Sequence, residues 1–322
     1  MEQVTVQSGR WIDKMSDPSV LNDLLHLANS FAGTKFTQGR ILSRRSDRLV
    51  IRVGSVVVKA HAPGTHADNL RARLELLFHE PMQKIFLTPL HHDVWHVSGQ
   101  LLATLWPVGV PLEGHLGTAP WDKAACLLAQ LHSLTITSTQ HARKLPRCRA
   151  MKKVGQTLAQ LEDAGSDPTD PAVKAVLSAA RTLNLDDDDG ELTTMVHGDW
   201  HFGQLLSLTR GDHDTLRLID PDDMGLGDPA WDLARPAAFF AAGLIPPDVW
   251  MSFLKHYRNA GGPAIPEDGD PWLTLEKPAR ALIVQCAASA LIRARRKKRS
   301  ILDAERPLLE ACQRIASMSS QA

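Results

Sequence analysis

The 322-residue chain carries one tyrosine, four scattered cysteines and no excess of either charge. Lysine and arginine number 36, as do aspartate and glutamate, so the formal net charge is zero. A general nucleic-acid binder carries a basic excess, and that class is excluded first. A bilayer-spanning helix needs roughly 20 successive apolar residues. No run approaches that length, which argues against a membrane protein. The opening residues Met-Glu-Gln-Val-Thr-Val-Gln-Ser-Gly-Arg lack the apolar centre of a secretory signal. Cys126, Cys148, Cys286 and Cys312 form no metal-spaced pair and read as reduced thiols of a cytoplasmic protein. Internal repeats are absent. The remainder, 43% hydrophobic and 22% charged, is that of a globular protein long enough for one large core or two lobes sharing a cleft.

The first third alternates one helix with short strands. Leu21, Leu24, Leu25, Leu27 and Ala28 recur at helical spacing behind Asp17-Pro18, a helix start. Phe36–Leu42, Arg48–Val53 and Ser55–Lys59 read as three strands joined by tight turns, the first turn being Ser43-Arg44-Arg45-Ser46-Asp47. A helix over Asp68–Phe78 follows. Phe86–Leu90, Val94–Val97 and Leu101–Leu105 read as further strands, and Trp106–Leu112 as a Pro/Gly-punctuated connection. The rest is mostly helical: Trp121–Leu134, Val154–Leu161, Ala172–Leu183, a helix opened by Pro246-Pro247-Asp248, a long one from Pro278, and Ile301–Ile315. Two charge runs stand out. Asp186–Asp189 is a solvated loop or an acidic lip for a cationic substrate. Arg293–Arg299 is a solvated face, a phosphate patch or a boundary for an anionic acceptor.

The chemistry concentrates in 195–234. Asp199 follows His197-Gly198, and the amide Gln204 comes five positions later. Leu205–Leu208 and Leu216–Ile219 flank the polar tetrad Gly211-Asp212-His213-Asp214, as in a hairpin. The second run ends in Asp220, with Asp222 and Asp223 behind it. Folding the hairpin brings Gln204 and Asp220 to one end, where amide and carboxylate oxygens suit a hard cation. Each acid taken alone is a solvated turn residue. Order and spacing together point to phosphoryl transfer, in which one carboxylate orients a hydroxyl and two oxygen ligands hold a metal on nucleotide phosphates.

These residues resemble the aminoglycoside phosphotransferase and choline-kinase-like family, whose loop reads His-Gly-Asp-x-x-x-x-Asn. Gly227-Asp228-Pro229-Ala230-Trp231-Asp232-Leu233-Ala234 resembles its Gly-Asp-x-x-x-Asp-Leu-Ala segment. One departure is Gln204 in place of Asn. That Gln, with His201, is similar to the maltokinase and glucosamine-kinase branch. The resemblance implies an α+β, bilobal protein-kinase-like fold: an N-terminal lobe over 1–105 with an antiparallel sheet, a hinge over 106–112, and a mainly helical C-terminal lobe over 113–322. It implies that Asp199 orients the acceptor hydroxyl and that Gln204, Asp220 and Asp222 hold Mg²⁺. Lys59, ending an apolar strand, is either a phosphate ligand or a snorkelling surface residue. As phosphate ligand, its expected partner is Glu75, with Glu80 as fallback. Ser43 and Ser46 would cradle phosphate or form an exposed turn, and Leu105 and Val108 would meet the nucleotide base. His197, Asp228 and Asp232 would brace the loop, and His132 is structural. The expected activity is transfer of phosphate from ATP or GTP to an antibiotic hydroxyl, by a monomer or homodimer. A sugar or amino-sugar kinase and a nucleotide-binding pseudokinase scaffold are the alternatives. The basic run at 293–299 lowers polycationic aminoglycosides as acceptors.

Overall fold

The computed structural model describes residues 17–33, 35–45, 48–112, 119–134, 145–148, 150–164, 167, 169–183, 194–210 and 215–319. In chain order the elements are α1 (Pro18–Ala32), β1 (Arg40–Arg44), β2 (Arg48–Val53), β3 (Val56–His61), α2 (Ala67–Leu76), α3 (Glu80–Ile85), β4 (Trp95–Val97), β5 (Leu101–Pro107) and β6 (Val110–Pro111). Then come α4 (Trp121–His132), α5 (Ala150–Asp163), α6 (Pro171–Ala180), β7 (Met195–Val196), β8 (Leu205–Ser207), β9 (Leu216–Leu218), β10 (Gly225–Leu226), α7 (Ala230–Ala241), α8 (Pro247–Asn259), α9 (Trp272–Arg296) and α10 (Arg306–Ser319). The chain divides into two units. The first comprises 1–110, 138–145 and 206–222; the second comprises 111–137, 146–205 and 223–322.

The first unit is built on a sheet of order β1-β2-β3-β5-β4, with every neighbouring pair antiparallel. α1 starts where the Asp17 carboxylate accepts the Ser19 N–H at 2.9 Å, with Pro18 in its first turn. It buries Val20, Leu24 and Ala28, one face at helical spacing, against Leu49, Ile51, Val58 and Ala60 of the sheet. Three expectations change here. A register shift between Ile41 and Ser43 lets β1 continue to Arg44, so Ser43 pairs with Val50 inside the strand and not in the turn; Ser46 lies outside the described residues. The expected 68–78 helix stops at Leu76, because Pro81 in the first turn of α3 starts a separate helix. The expected strand at 86–90 reduces to one bridge, Phe86 to Leu218, ahead of Pro89, which has no N–H to give a ladder. That bridge, with the Leu87 N–H donating to the Leu218 carbonyl at 2.9 Å, ties β9 into this unit. Gly109 is forced by closeness: a Cβ there would sit 2.5 Å from the Leu206 methyls.

The second unit is helical, apart from the short antiparallel pair β7 and β10. Leu161, Val176, Ala234, Ala238, Val284, Ala287, Ala288, Leu308 and Cys312 form its main core. The alanines let α7 and α9 approach closely. α9 begins at Trp272, six residues before the expected start, and carries Pro278 in its interior. The run 293–299 closes α9, and two of its arginines are engaged: Arg293 and Arg299 bond to Glu305 at 3.3 and 2.9 Å. The acidic run at 186–189 lies outside the described residues. All four thiols are free, and burial pushes those of Cys148 and Cys312 up to about 12. Among the described residues no helix is long and apolar enough to cross a membrane.

Candidate active site

In the first unit a charged cluster grows from strand alternation. Val58 and Ala60 point into the core beneath α1, so Lys59 and His61 leave the opposite face of β3. Arg48 stands directly across from His61 in the β2–β3 register, and Thr104 across from Lys59 on β5. Asp220 follows β9 with φ +65°, a left-handed conformation that aspartate tolerates better than most residues. Its carboxylate is ion-paired with both Arg48 and Lys59. Lys59 Nζ also lies 2.7 Å from Asp222 Oδ2. His61 bridges onward, Nδ1 to Asp222 at 2.9 Å and Nε2 to the Thr104 hydroxyl at 2.9 Å. Burial works to raise the Asp222 carboxyl, but His61 and Lys59 outweigh it and hold it well below the usual range. Burial likewise opposes the Lys59 charge, and Asp220 and Asp222 override it and raise the ammonium. Asp222 Oδ1 is sealed from water and has no hydrogen-bond partner among the described residues. Two carboxylates offering only oxygen, one of them with an unsatisfied buried atom, are a donor set that a hard divalent cation fits.

The expected Lys59–Glu75 pair is not formed, since Asp220 and Asp222 take the ammonium. Glu75 is half-buried on α2, with no side-chain hydrogen bond or ion pair among the described residues. Glu80 pairs on its own helix with Lys84 at 2.5 Å. Leu105 lies buried within β5, its carbonyl accepting the Leu90 N–H at 2.9 Å, and Val108 lies just past the strand end.

In the second unit the loop after β7 carries His197, Gly198 and Asp199. Gly198 has φ +82°, and a Cβ there would fall 2.4 Å from the Asp223 carbonyl oxygen, so only glycine fits. Asp232, fully buried on α7, accepts the N–H groups of His197 and Gly198 at 2.6 and 2.8 Å. It also meets His132 Nε2 at 3.0 Å, while His132 Nδ1 contacts the Tyr257 hydroxyl at 2.7 Å. The loop is thus anchored through its backbone by one carboxylate, itself held by a histidine and a tyrosine. Asp228 accepts the Ala230 N–H at 2.9 Å, capping the start of α7. Gln204 is buried and closes a short 3₁₀ turn just before β8, its N–H donating to the His201 carbonyl at 2.8 Å.

Two cations meet Asp199: Lys153 of α5 at 2.8 Å and Arg235 of α7 at 3.0 Å. Lys153 also pairs with Asp223 at 2.5 Å. Burial would raise the Asp199 carboxyl, yet Lys153 and then Arg235 dominate and hold it far below the ordinary carboxylate range. A pocket opens on this group, lined among others by Lys153, Asp199, Trp200, Trp231, Arg235 and Gln285. Arg48, His61, Lys153 and Arg235 carry no role in the sequence reading, and Asp223 enters it only as a neighbour of Asp222. A signal existed for two of them. His61 shares the two-residue period of Lys59, and Arg235 sits three residues past Asp232 on one helix face. Lys153 carries no such mark.

The sequence pattern of the APH phosphotransferase enzyme family matches residues 31–272. The chain belongs to this family. It is therefore a kinase-type phosphotransferase that acts on hydroxyl groups. No curated protein matches it in sequence. Solved structures share the protein-kinase-like fold at low identity. The GDP complex of aminoglycoside 2'-phosphotransferase-IIIa superposes with a TM-score of 0.57 at 14% identity, over 93% of this chain and 99% of that one. A thermostable mutant of aminoglycoside phosphotransferase APH(4)-Ia, with AMP-PNP and hygromycin B, gives 0.57 at 16%, over 93% and 100%. A choline/ethanolamine kinase family protein from Mesorhizobium loti gives 0.52 at 14%, over 94% and 95%.

Proposed function

We propose that this phosphotransferase moves the γ-phosphoryl group of ATP or GTP onto a hydroxyl of an antibiotic, with Asp199 orienting the acceptor and Lys59, Asp220, Asp222 and Gln204 serving the nucleotide and its metal. The observation that carries this reading is the Lys59–Asp220–Asp222 cluster with its unsatisfied Asp222 oxygen. An antibiotic as acceptor class is suggested by neighbours of this fold solved with kanamycin, spectinomycin and hygromycin B, while the basic run at 293–299 disfavours the polycations among them.

Without nucleotide, Lys59 neutralises Asp220 and Asp222. When a triphosphate enters, its phosphate oxygens would take over the ammonium, and the Asp220 and Asp222 carboxylates would be released to hold a cation. Mg²⁺ held by these groups would offset charge on the β- and γ-phosphates. Asp199 is too weak a base to ionise a resting alcohol. It accepts a hydrogen bond from the hydroxyl, fixes its direction, and takes the proton late, once the new oxygen–phosphorus bond has made that proton acidic. His197, Asp228 and Asp232 keep the loop in register.

The experiment is nucleotide consumption against a panel of aminoglycoside, peptide and nucleoside antibiotics and sugars, with mass spectrometry of the products. The expected result is acceptor-dependent turnover and an 80 Da gain on one antibiotic class, the mass of one added phosphoryl group. Nucleotide binding with no acceptor-dependent turnover would make the chain a scaffold.

A further inference from the structure

We infer that the acceptor recognised in the Asp199 pocket is a hydroxylated molecule bearing a carboxylate, not a polyamine. This rests on Asp199 being the group that orients the hydroxyl. The lining residues hold one carboxylate, and the reaction reserves it for that hydroxyl. Lys153 is held by Asp199 and, at 2.5 Å, by Asp223, which is not among the lining residues. Among the described residues no further acid lines the pocket to receive an ammonium.

Donors, by contrast, are in surplus. The Arg235 guanidinium has five N–H bonds. Nη2 reaches Asp199 at 3.0 Å and Nη1 meets the Cys286 sulfur at 3.1 Å, a weak acceptor. Its Nε is sealed from water with no partner. Trp200 is almost wholly buried, and its indole N–H is likewise without a partner. The amide nitrogen of Gln285 has only a long contact, 3.5 Å, to the Thr157 hydroxyl. A half-used guanidinium, taken out of water, is stabilised when an anion completes its fork. Trp200 and Trp231 line the pocket beside these donors. A polycation would bring ammonium groups against Lys153 and Arg235, and the pocket discriminates against it by repulsion.

The test uses matched acceptors: glucose, glucosamine and glucuronate; glycerol, serinol and glycerate; and kanamycin as the polycation. Binding is measured by calorimetry on the intact chain, and turnover with ATP and GTP. The carboxylate member of a triplet is expected to bind at least roughly tenfold tighter than its neutral and amine partners, the scale of a charged hydrogen bond. Carboxylate-selective binding without turnover upholds the charge preference of the pocket and overturns Asp199 as the group that orients an acceptor hydroxyl. Turnover favouring the neutral, amine or polycationic members keeps the kinase reading and overturns the inference, as does the absence of any binding. Arg235→Gln should lower the carboxylate-over-neutral ratio of kcat/KM about tenfold, whatever change in kcat it imposes on both acceptors through Asp199. An equal fall in kcat for every acceptor would mean that Arg235 only positions Asp199. Arg235→Lys, which keeps the charge and loses the fork, gives the same readout should the glutamine variant not fold.

Discussion

A carboxylate clamped between a lysine and an arginine is a poor base at rest and a well-aimed hydrogen-bond acceptor. Asp199 has that setting. Asp199→Asn should cut kcat by about 10² to 10⁴ while nucleotide affinity stays within a few-fold, as steady-state kinetics and a nucleotide titration would show. The pH profile carries the same logic. With its pKa depressed, Asp199 stays ionised until the pH falls below the ordinary carboxylate range, so the acid limb of kcat/KM should lie low. Lys153→Met removes the stronger of the two opposing charges and should move that limb upward. An unmoved limb would detach it from Asp199. At this scale the sequence was partly legible. Asp199, Gln204 and Asp220 stand in a recognisable order because they are close in sequence, and Lys59 stood out only as the end of an apolar strand. Arg48 and Lys153 come from a strand and a helix with no spacing relation to their partners, and only the folded chain joins them.

The elements succeed or fail by how their ends are made. The loop after β7 hangs from Asp232, and Asp232→Asn would turn one acceptor toward the N–H groups of His197 and Gly198 into a donor. About 3 kcal/mol of stability should be lost, read from denaturant unfolding. The link between α9 and α10 is held by Glu305, whose carboxyl is lowered from 4.5 to about 2, chiefly by the Arg299 hydrogen bond. A lowered carboxyl stabilises above its unfolded pKa, and that contribution disappears as the pH falls through about 2. Glu305→Gln should therefore cost about 1 kcal/mol at pH 7, discounted for the exposed arginines, and nothing near pH 2. Helices were legible from their apolar stripes to within a few residues at most ends, α1 being the clearest. Misplaced boundaries trace to proline. Pro81 opens a second helix, Pro278 reads as a helix start yet lies inside α9, and Pro89 cuts short an apolar run that pairs only once.

At the scale of the chain, neither unit is a continuous stretch of sequence. Residues 206–222 belong with 1–110 because β9 bridges to Phe86 and because Asp220 and Asp222 neutralise Lys59 and Arg48. A single cut at the Pro/Gly linker was all the sequence could suggest, since a hairpin's membership is decided by distant pairing. A fragment of 1–110 leaves those two cations and His61 without their acids, and it should remain unfolded by circular dichroism and amide dispersion. Cooperative melting of that fragment would contradict this account of the unit. The lone tyrosine has a use as well. Tyr257 is wholly buried, bonded to His132 and through it to the carboxylate that suspends the loop. Biosynthetic fluorination of tyrosine would therefore give a spectrum of one ¹⁹F resonance, placed three hydrogen bonds from the backbone of His197 and Gly198. Loop rearrangement on ligand addition could be watched there in solution, free of overlap and without any engineered label.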